Sequence, residues 1–144
     1  MSKYEVVEKF VSINGEGTKA GQLAVFIRFK GCNLNCKYCD TKWANEQGTP
    51  SQPMTEKEIL DYVLSTGVKN VTLTGGEPLL REGIENVITV LAENNLNIEI
   101  ETNGSVYLDK IRKLHKENVT FTMDYKLSCS GMEAAMNLDN FNIL

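Results

Sequence analysis

The amino-acid sequence predicts an α/β protein built on a parallel sheet. Short runs rich in Val, Ile, Thr and Phe alternate along the chain with segments whose apolar residues recur at helical spacing. This alternation is typical of strand–helix–strand units. The 144 residues correspond to a single domain, 1–144, by the usual relation between length and domain number.

The apolar runs define the strands. A leading candidate strand is VVEKFVSI at 6–13, and the softer stretch ANEQGTPSQP at 44–53 predicts a loop. The remaining predicted strands are LAVFIRF (23–29), NVTLT (70–74), NIEIET (97–102) and VTFTMDYK (119–126).

Helical segments lie between these strands. The segment 55–67 opens with a capping box formed by Thr55 and Glu58 and closes with Gly67 at the position of a C-cap glycine. Two further helices are predicted within 80–95 and 107–118. Their apolar faces comprise Ile59, Leu60, Val63 and Leu64 in the first, Leu80, Ile84, Val87 and Leu91 in the second, and Leu108, Ile111 and Leu114 in the third.

Composition excludes several classes of protein. The net charge is −4 and the pI is about 5.1, which disfavours a protein that binds the nucleic-acid backbone. No apolar run approaches the ~18–20 residues of a membrane span, and the first ten residues lack the apolar core of a signal peptide. We therefore expect a cytoplasmic protein, in which clustered cysteines bind metal more often than they form disulfides.

Polar and glycine-rich segments follow the predicted strands. In α/β proteins, the carboxyl ends of parallel strands meet at one edge, where functional sites are built. We therefore expect the loops to converge on one site. The segments are KGC at 30–32, GGEP at 75–78, NGS at 103–105 and LSCSG at 127–131.

Three cysteines, Cys32, Cys36 and Cys39, lie in CNLNCKYC with the spacing C-x3-C-x2-C. A structural zinc site needs a fourth ligand, for which only Cys129 or His115 would remain. A 4Fe–4S cluster is ordinarily held by four cysteines, so three thiolates would leave one iron open to an outside ligand. Free buried thiols are the third alternative.

This cysteine motif, with an aromatic Tyr38 before its last cysteine, resembles that of the radical S-adenosylmethionine (radical SAM) enzymes. The segment TGGEPLL at 74–80 resembles the second motif of these enzymes, which binds the methionine amino group. The resemblance implies a 4Fe–4S cluster held by the three cysteines and chelated by S-adenosylmethionine. It also implies a partial, TIM-like (β/α) barrel. Because such barrels are longer than 144 residues, we expect the C-terminal strands to be missing and an unpaired strand edge to favour a homodimer.

A narrower resemblance, to the 7-carboxy-7-deazaguanine synthases of queuosine and deazapurine biosynthesis, covers most of the chain. It is carried by the segments starting at Phe10, Thr72, Glu99 and Met123. It implies that Thr41 coordinates Mg²⁺. The cofactor-binding positions implied are Tyr38, Gly75, Gly76, Glu77, Glu101, Asn103, Asp124 and Lys126. The substrate-binding positions implied are Asn14, Gly15, Glu16, Arg28, Asp40 and Thr74.

Each of these positions also has a structural interpretation. The GGEP, CDT and ETNG segments could be turns. Arg28, in an apolar strand, could form an internal ion pair, for instance with Glu16, and Lys126 could be a solvated lysine at a strand end. Cys129 is interpreted as a free thiol, and His115 as a surface residue without a role.

The resemblance implies conversion of 6-carboxy-5,6,7,8-tetrahydropterin to 7-carboxy-7-deazaguanine by radical ring contraction with loss of ammonia. A flavodoxin- or ferredoxin-type protein would supply the electron. One alternative is an activase that installs a glycyl radical on a partner protein. A second alternative, from another class, is an iron–sulfur or zinc protein without catalytic activity.

Overall fold

A computed structural model describes residues 2–114 and 117–144. It contains one six-stranded sheet with the order β3-β1-β2-β4-β5-β6. Strands β2, β4, β5 and β6 are parallel, whereas β1 and β3 run antiparallel at one side. The sheet is therefore mixed, because β1 and β3 add an antiparallel part to the predicted parallel sheet. The strands are β1 (Tyr4–Ile13), β2 (Leu23–Phe29), β3 (Gln52–Met54), β4 (Asn70–Gly75), β5 (Asn97–Thr102) and β6 (Val119–Met123).

Two of the boundaries that differ from the sequence predictions bear on the site and on the sheet. Strand β6 ends at Met123 rather than at residue 126, so Asp124 and Lys126 lie in the loop that follows it. The predicted loop at 44–53 contains the start of β3, which pairs with β1 at Val6↔Gln52. Strand β3 has only three residues, so its sequence shows no alternating pattern. It contains Pro53, which is tolerated because β3 is an edge strand.

The helices are α1 (Lys42–Asn45), α2 (Glu56–Thr66), α3 (Ile84–Glu93) and α4 (Asp109–Arg112). The predicted capping box of α2 is confirmed: the Thr55 side chain accepts a hydrogen bond from the Glu58 backbone, and the Glu58 carboxylate accepts one from the Thr55 backbone. Gly67 ends α2 in the left-handed conformation, as predicted.

The predicted apolar faces are only partly buried. Leu64 and Leu114 are exposed, and Leu80 lies in the short 3-10 turn Pro78–Leu80 instead of in α3. The third helix is much shorter than predicted within the described residues, because it is α4 alone. The buried positions of α3 are Ile84, Val87, Ile88, Leu91 and Ala92.

The two faces of the sheet have different chemistry. On β5, Ile98 and Ile100 are buried in the hydrophobic core, whereas Glu99 and Glu101 point to the opposite face, because side chains alternate along a strand. The same alternation places Val71 and Leu73 of β4 in the core. The sheet therefore presents an apolar face to the helices and a polar face to the interior of the half-barrel.

Beyond β6, three 3-10 turns follow: Ser128–Ser130, Glu133–Ala135 and Leu138–Asn142. Asn140 is fully buried and anchors this segment. Its amide donates to the carbonyl oxygens of Gly104 and Val106, and its side-chain oxygen accepts from the Leu108 backbone. Among the described residues, no helix is long and apolar enough to cross a membrane.

Candidate active site

The loops after β2, β4, β5 and β6 converge at one edge of the sheet around a cavity of about 370 Å³. This is the convergence that the sequence predicts, and the volume is that of an ordinary small-molecule site. Most predicted site residues line it: Glu16, Arg28, Cys32, Cys36, Tyr38, Cys39, Asp40, Thr41, Thr74, Gly75, Gly76, Glu101, Asn103, Asp124 and Lys126.

The three cysteines line the cavity as free thiols. The Cys32 sulfur accepts hydrogen bonds from the Leu34 backbone at 3.4 Å and from the Asn103 amide at 3.6 Å. Donors of this kind stabilise a thiolate and tune the potential of an iron–sulfur cluster. Within residues 2–114 and 117–144, no three His, Cys, Asp or Glu side chains are grouped to hold a single metal ion.

Lys126 supplies positive charge beside the cysteines. Burial raises the pKa of the Cys36 thiol, and the charge of Lys126 acts against this shift. Burial also acts to lower the pKa of Lys126, but its hydrogen bond to Asp124, at 2.5 Å, and the charge of Asp124 offset this, so that the pKa is raised. The Lys126 side chain is only 13% exposed, so it is not a solvated lysine.

The GGEP segment packs tightly on the loop after β2. A side chain at Gly76 would meet the Gly31 carbonyl group and the Asn45 side chain, and one at Gly75 would meet the Phe29 backbone. The Gly76 and Glu77 amides donate to the carbonyl oxygens of Phe29 and Gly31. Glycine is therefore required because two backbones approach each other here.

The Glu77 carboxylate does not line the cavity. It is fully buried and accepts hydrogen bonds from the Asn103 backbone (2.7 Å), the Thr102 hydroxyl (2.9 Å) and the Leu79 backbone (3.1 Å). Burial raises the pKa of Glu77, and these three donors act against that shift. In this structure Glu77 joins the GGEP loop to the loop after β5, which differs from its predicted contact with the cofactor.

Polar side chains of the sheet also line the cavity. Arg28 forms an internal ion pair through Nε, at 2.9 Å. Its partner is Glu8 and not Glu16, the example given from the sequence. The Glu101 carboxylate accepts from the Thr74 hydroxyl at 2.7 Å. Burial raises the pKa of Glu101, the Thr74 hydrogen bond opposes this shift, and the negative charges of Glu16 and Glu99 add to it.

Asp40 and Thr41 lie in the loop before α1. The Thr41 hydroxyl donates to the Asp40 carboxylate at 2.7 Å, and both side chains line the cavity. Hard oxygen atoms of this kind are the ligands that Mg²⁺ prefers.

Two predicted substrate-binding residues lie outside the cavity. Asn14 is 1% exposed, and its amide donates to Glu99 at 2.6 Å. Gly15 is exposed, and a Cβ atom added there would meet no atom within 4 Å. Cys129 is an exposed free thiol. The prediction for His115 falls outside the described residues.

Several residues line the cavity that the sequence reasoning did not identify: Phe26, Leu34, Asn45, Thr102 and Thr122. The alternation of β2 and β6 could have indicated Phe26 and Thr122, because they share a face with Arg28 and Glu101. Asn45 gives no signal in the sequence. Its side-chain oxygen is buried without a hydrogen-bond partner in the described structure, which leaves it available to a ligand N–H group.

Residues 26–126 match the radical SAM superfamily. The 7-carboxy-7-deazaguanine synthase of Clostridium acetobutylicum is 62% identical over 142 residues, which cover 98% of this chain and 64% of that protein. The protein of the same name from Chlorobaculum tepidum is 35% identical over 138 residues, or 96% of this chain and 60% of that protein.

Among solved structures, the crystal structure of QueE from Escherichia coli matches with a TM-score of 0.72 and 26% identity, covering 87% of this chain and 61% of that one. The chain therefore spans less than two thirds of the length of these relatives. The predicted fold, a partial barrel of the radical SAM type, is confirmed. With the three cysteines and the glycine-rich loop at one cavity, these matches establish that the chain belongs to the radical SAM superfamily.

Proposed function

We propose that this chain carries the active site of a 7-carboxy-7-deazaguanine synthase, which converts 6-carboxy-5,6,7,8-tetrahydropterin to 7-carboxy-7-deazaguanine with loss of ammonia. A single cavity lined by three thiols and by Arg28, Thr74 and Glu101 supports this function. The names of the two relatives from Clostridium acetobutylicum and Chlorobaculum tepidum support the choice of this reaction.

Membership of the superfamily implies a 4Fe–4S cluster and S-adenosylmethionine, and the residues present fit both. Cys32, Cys36 and Cys39 would hold the cluster, since each thiol lines the cavity. When bound, the cluster and S-adenosylmethionine supply the one-electron chemistry that starts the reaction, while the protein supplies orientation and electrostatics.

Backbone and side-chain polar groups surround the space beside the cysteines, where S-adenosylmethionine would bind. Gly75 and Gly76 allow close approach of the ligand to the backbone. Asn45 offers an unpartnered oxygen to an ammonium group, and Lys126 offers a charge to a carboxylate. Tyr38, Asn103 and Asp124 also line this part of the cavity.

Arg28 is well suited to the carboxylate of the pterin. In the described part of the chain its ion pair with Glu8 uses only Nε, so its two terminal amino groups remain available. A planar guanidinium can bind a carboxylate through two parallel hydrogen bonds. Glu16, Glu101 and Thr74 provide acceptors and a hydroxyl for the nitrogen-rich ring.

Thr41 is the proposed ligand of a Mg²⁺ ion. The neighbouring Asp40 is proposed to contact the substrate. A magnesium ion keeps several waters and takes further oxygen ligands from the substrate. Here it would hold the substrate carboxylate in place.

The same proposal extends to partners. A low-potential flavodoxin or ferredoxin would deliver the electron, two copies of the protein would form a homodimer, and a reducing cytoplasm would preserve the free thiols.

The direct test is anaerobic reconstitution of the protein with iron and sulfide, followed by reduction and addition of S-adenosylmethionine, Mg²⁺ and 6-carboxytetrahydropterin. Mass spectrometry should detect 7-carboxy-7-deazaguanine with the intact protein and none with a Cys36→Ala variant. Formation of 5′-deoxyadenosine without the deazaguanine would reject this substrate and turn attention to the activase alternative. No response to S-adenosylmethionine would favour a metal-binding protein without catalytic activity.

A further inference from the structure

Glu99 is a buried carboxylate without a role in the proposed reaction. It is 3% exposed and lies on β5, two residues before Glu101, on the same face of the sheet. Its Oε2 accepts from the Asn14 amide at 2.6 Å, and its Oε1 accepts from the Thr122 hydroxyl. No cation pairs with it among the described residues. Such burial is costly unless the hydrogen bonds to the carboxylate are strong.

The Asn14 partner closes the loop between β1 and β2. Its backbone N–H donates to the Gln22 carbonyl and its carbonyl accepts from the Gly21 N–H, both at 2.8 Å. The side-chain oxygen of Asn14 faces the Glu16 N–H at 3.5 Å. One asparagine therefore contacts both the buried carboxylate and the segment that carries Glu16.

The loop also lies directly over Glu99. Gly17 has a φ of +68°, and a side chain there would collide with the Glu99 carboxylate and the Thr122 hydroxyl. This close approach places the neighbouring Glu16 at the cavity, where its charge contributes to the raised pKa of Glu101.

We propose that the Asn14–Glu99 pair positions Glu16 at the cavity, where the substrate would bind. Glu99 and Asn14 are positioning residues, because neither lines the cavity. A carboxylate acceptor is suited to this task, since hydrogen bonds to charged groups are shorter and roughly twice as strong as neutral ones. The substrate-binding part of this inference rests on the proposed function.

The pair can be tested by exchanging its donor and acceptor. Asn14→Asp places two carboxylates against each other, whereas the double variant Asn14→Asp/Glu99→Gln restores one donor facing one acceptor. Glu117→Gln is the matched control for the lost charge, because Glu117 is an exposed residue that lines the same small cavity of about 130 Å³ as Asn14 and Glu99.

Hydrogen exchange gives the first readout, since it does not depend on any ligand. We expect amides of residues 14–22 to lose protection in Asn14→Asp, to recover in the double variant and to stay unchanged in Glu117→Gln. Unchanged protection in Asn14→Asp would overturn the inference.

Binding of 6-carboxypterin to the cluster-loaded, intact protein gives the second readout. We expect Asn14→Asp to weaken it roughly 10- to 100-fold, the range for a charge-assisted hydrogen bond, and the double variant to recover most of this loss. The Kd for S-adenosylmethionine should stay constant. If Asn14→Asp weakened the binding of both ligands equally, or left pterin binding unchanged, the Asn14–Glu99 pair would have only a structural role.

The two proposals fail separately. If wild-type protein binds neither 6-carboxypterin nor 6-carboxytetrahydropterin while residues 14–22 follow the exchange pattern above, the proposed substrate is wrong and the positioning of the loop by Asn14 and Glu99 stands.

Discussion

Arg28 shows how one side chain can be both structurally anchored and free to bind. It lies on β2 between the buried residues Ile27 and Phe29, and Glu8 on the neighbouring antiparallel strand holds its Nε. Arg28 also lines the cavity, and its two terminal amino groups are not used by the contact with Glu8. A fixed arginine loses little conformational entropy when it binds a planar anion.

Replacement of Arg28 by lysine should raise the KM for the pterin about 10- to 100-fold, because a bidentate contact becomes a single one. The Kd for S-adenosylmethionine should not change. Glu8→Gln, which keeps an acceptor for Nε, serves as the control and should have a much smaller effect. If Arg28→Lys also weakened S-adenosylmethionine binding, the pterin and S-adenosylmethionine sites in the cavity would not be independent.

Glu101 gives a prediction about pH. Burial raises its pKa above the ordinary value of 4.5, so the folded state holds this proton more tightly than the unfolded state. The contribution to stability is complete below the ordinary pKa and is lost as the pH rises through the raised pKa. Urea unfolding between pH 4 and pH 8 should therefore show wild type losing stability relative to Glu101→Gln as the pH increases. A constant difference between the two would contradict the raised pKa.

At the scale of elements, local sequence determines where a helix such as α2 begins, and packing against the sheet determines where the helices lie. The capping box of α2 is readable from Thr55 and Glu58 because both partners lie within one helical turn. The end of α4 was not predicted correctly from the same kind of local pattern. Its Leu108 and Ile111 are buried, but Leu114 is exposed, and periodic spacing alone does not determine where a helix stops.

Thr55→Ala should destabilise the protein by about 1 kcal/mol, since it removes the oxygen that accepts from the Glu58 backbone. Ser65→Ala at the other end of α2 is the control and should have little effect, because Ser65 is exposed and bonds only the Tyr62 carbonyl within its own helix. Urea denaturation measures both, and equal losses would argue against the capping role.

Gly76→Ala should destabilise the protein by about 1–3 kcal/mol, the usual cost of overpacking. The added methyl group would meet the Gly31 carbonyl and the Asn45 side chain. Gly48→Ala, where no atom lies within 4 Å of the new carbon, provides the matched control. We also expect Gly76→Ala to bind S-adenosylmethionine more weakly, and wild-type stability and binding in this variant would contradict the close-packed loop.

For the whole molecule, the sequence predicted where the candidate site lies because each of its motifs is a short stretch of the chain. The cysteine spacing, the GGEP segment and the alternating strands each lie within a few residues, and the convergence of strand ends follows from the α/β pattern. The contacts that it missed join distant segments. Examples are Asn14 with Glu99, Arg28 with Glu8, and Glu77 with the backbone of Asn103. Such partners depend on strand order and register, which a single sequence does not encode in any short pattern.

We propose that one cavity brings S-adenosylmethionine and a carboxylated pterin together for reaction. The decisive experiment uses 6-carboxytetrahydropterin deuterated at C6 with the reduced, reconstituted protein. We expect 5′-deoxyadenosine that carries deuterium, formed together with 7-carboxy-7-deazaguanine. Unlabelled 5′-deoxyadenosine with the pterin left unchanged would contradict it.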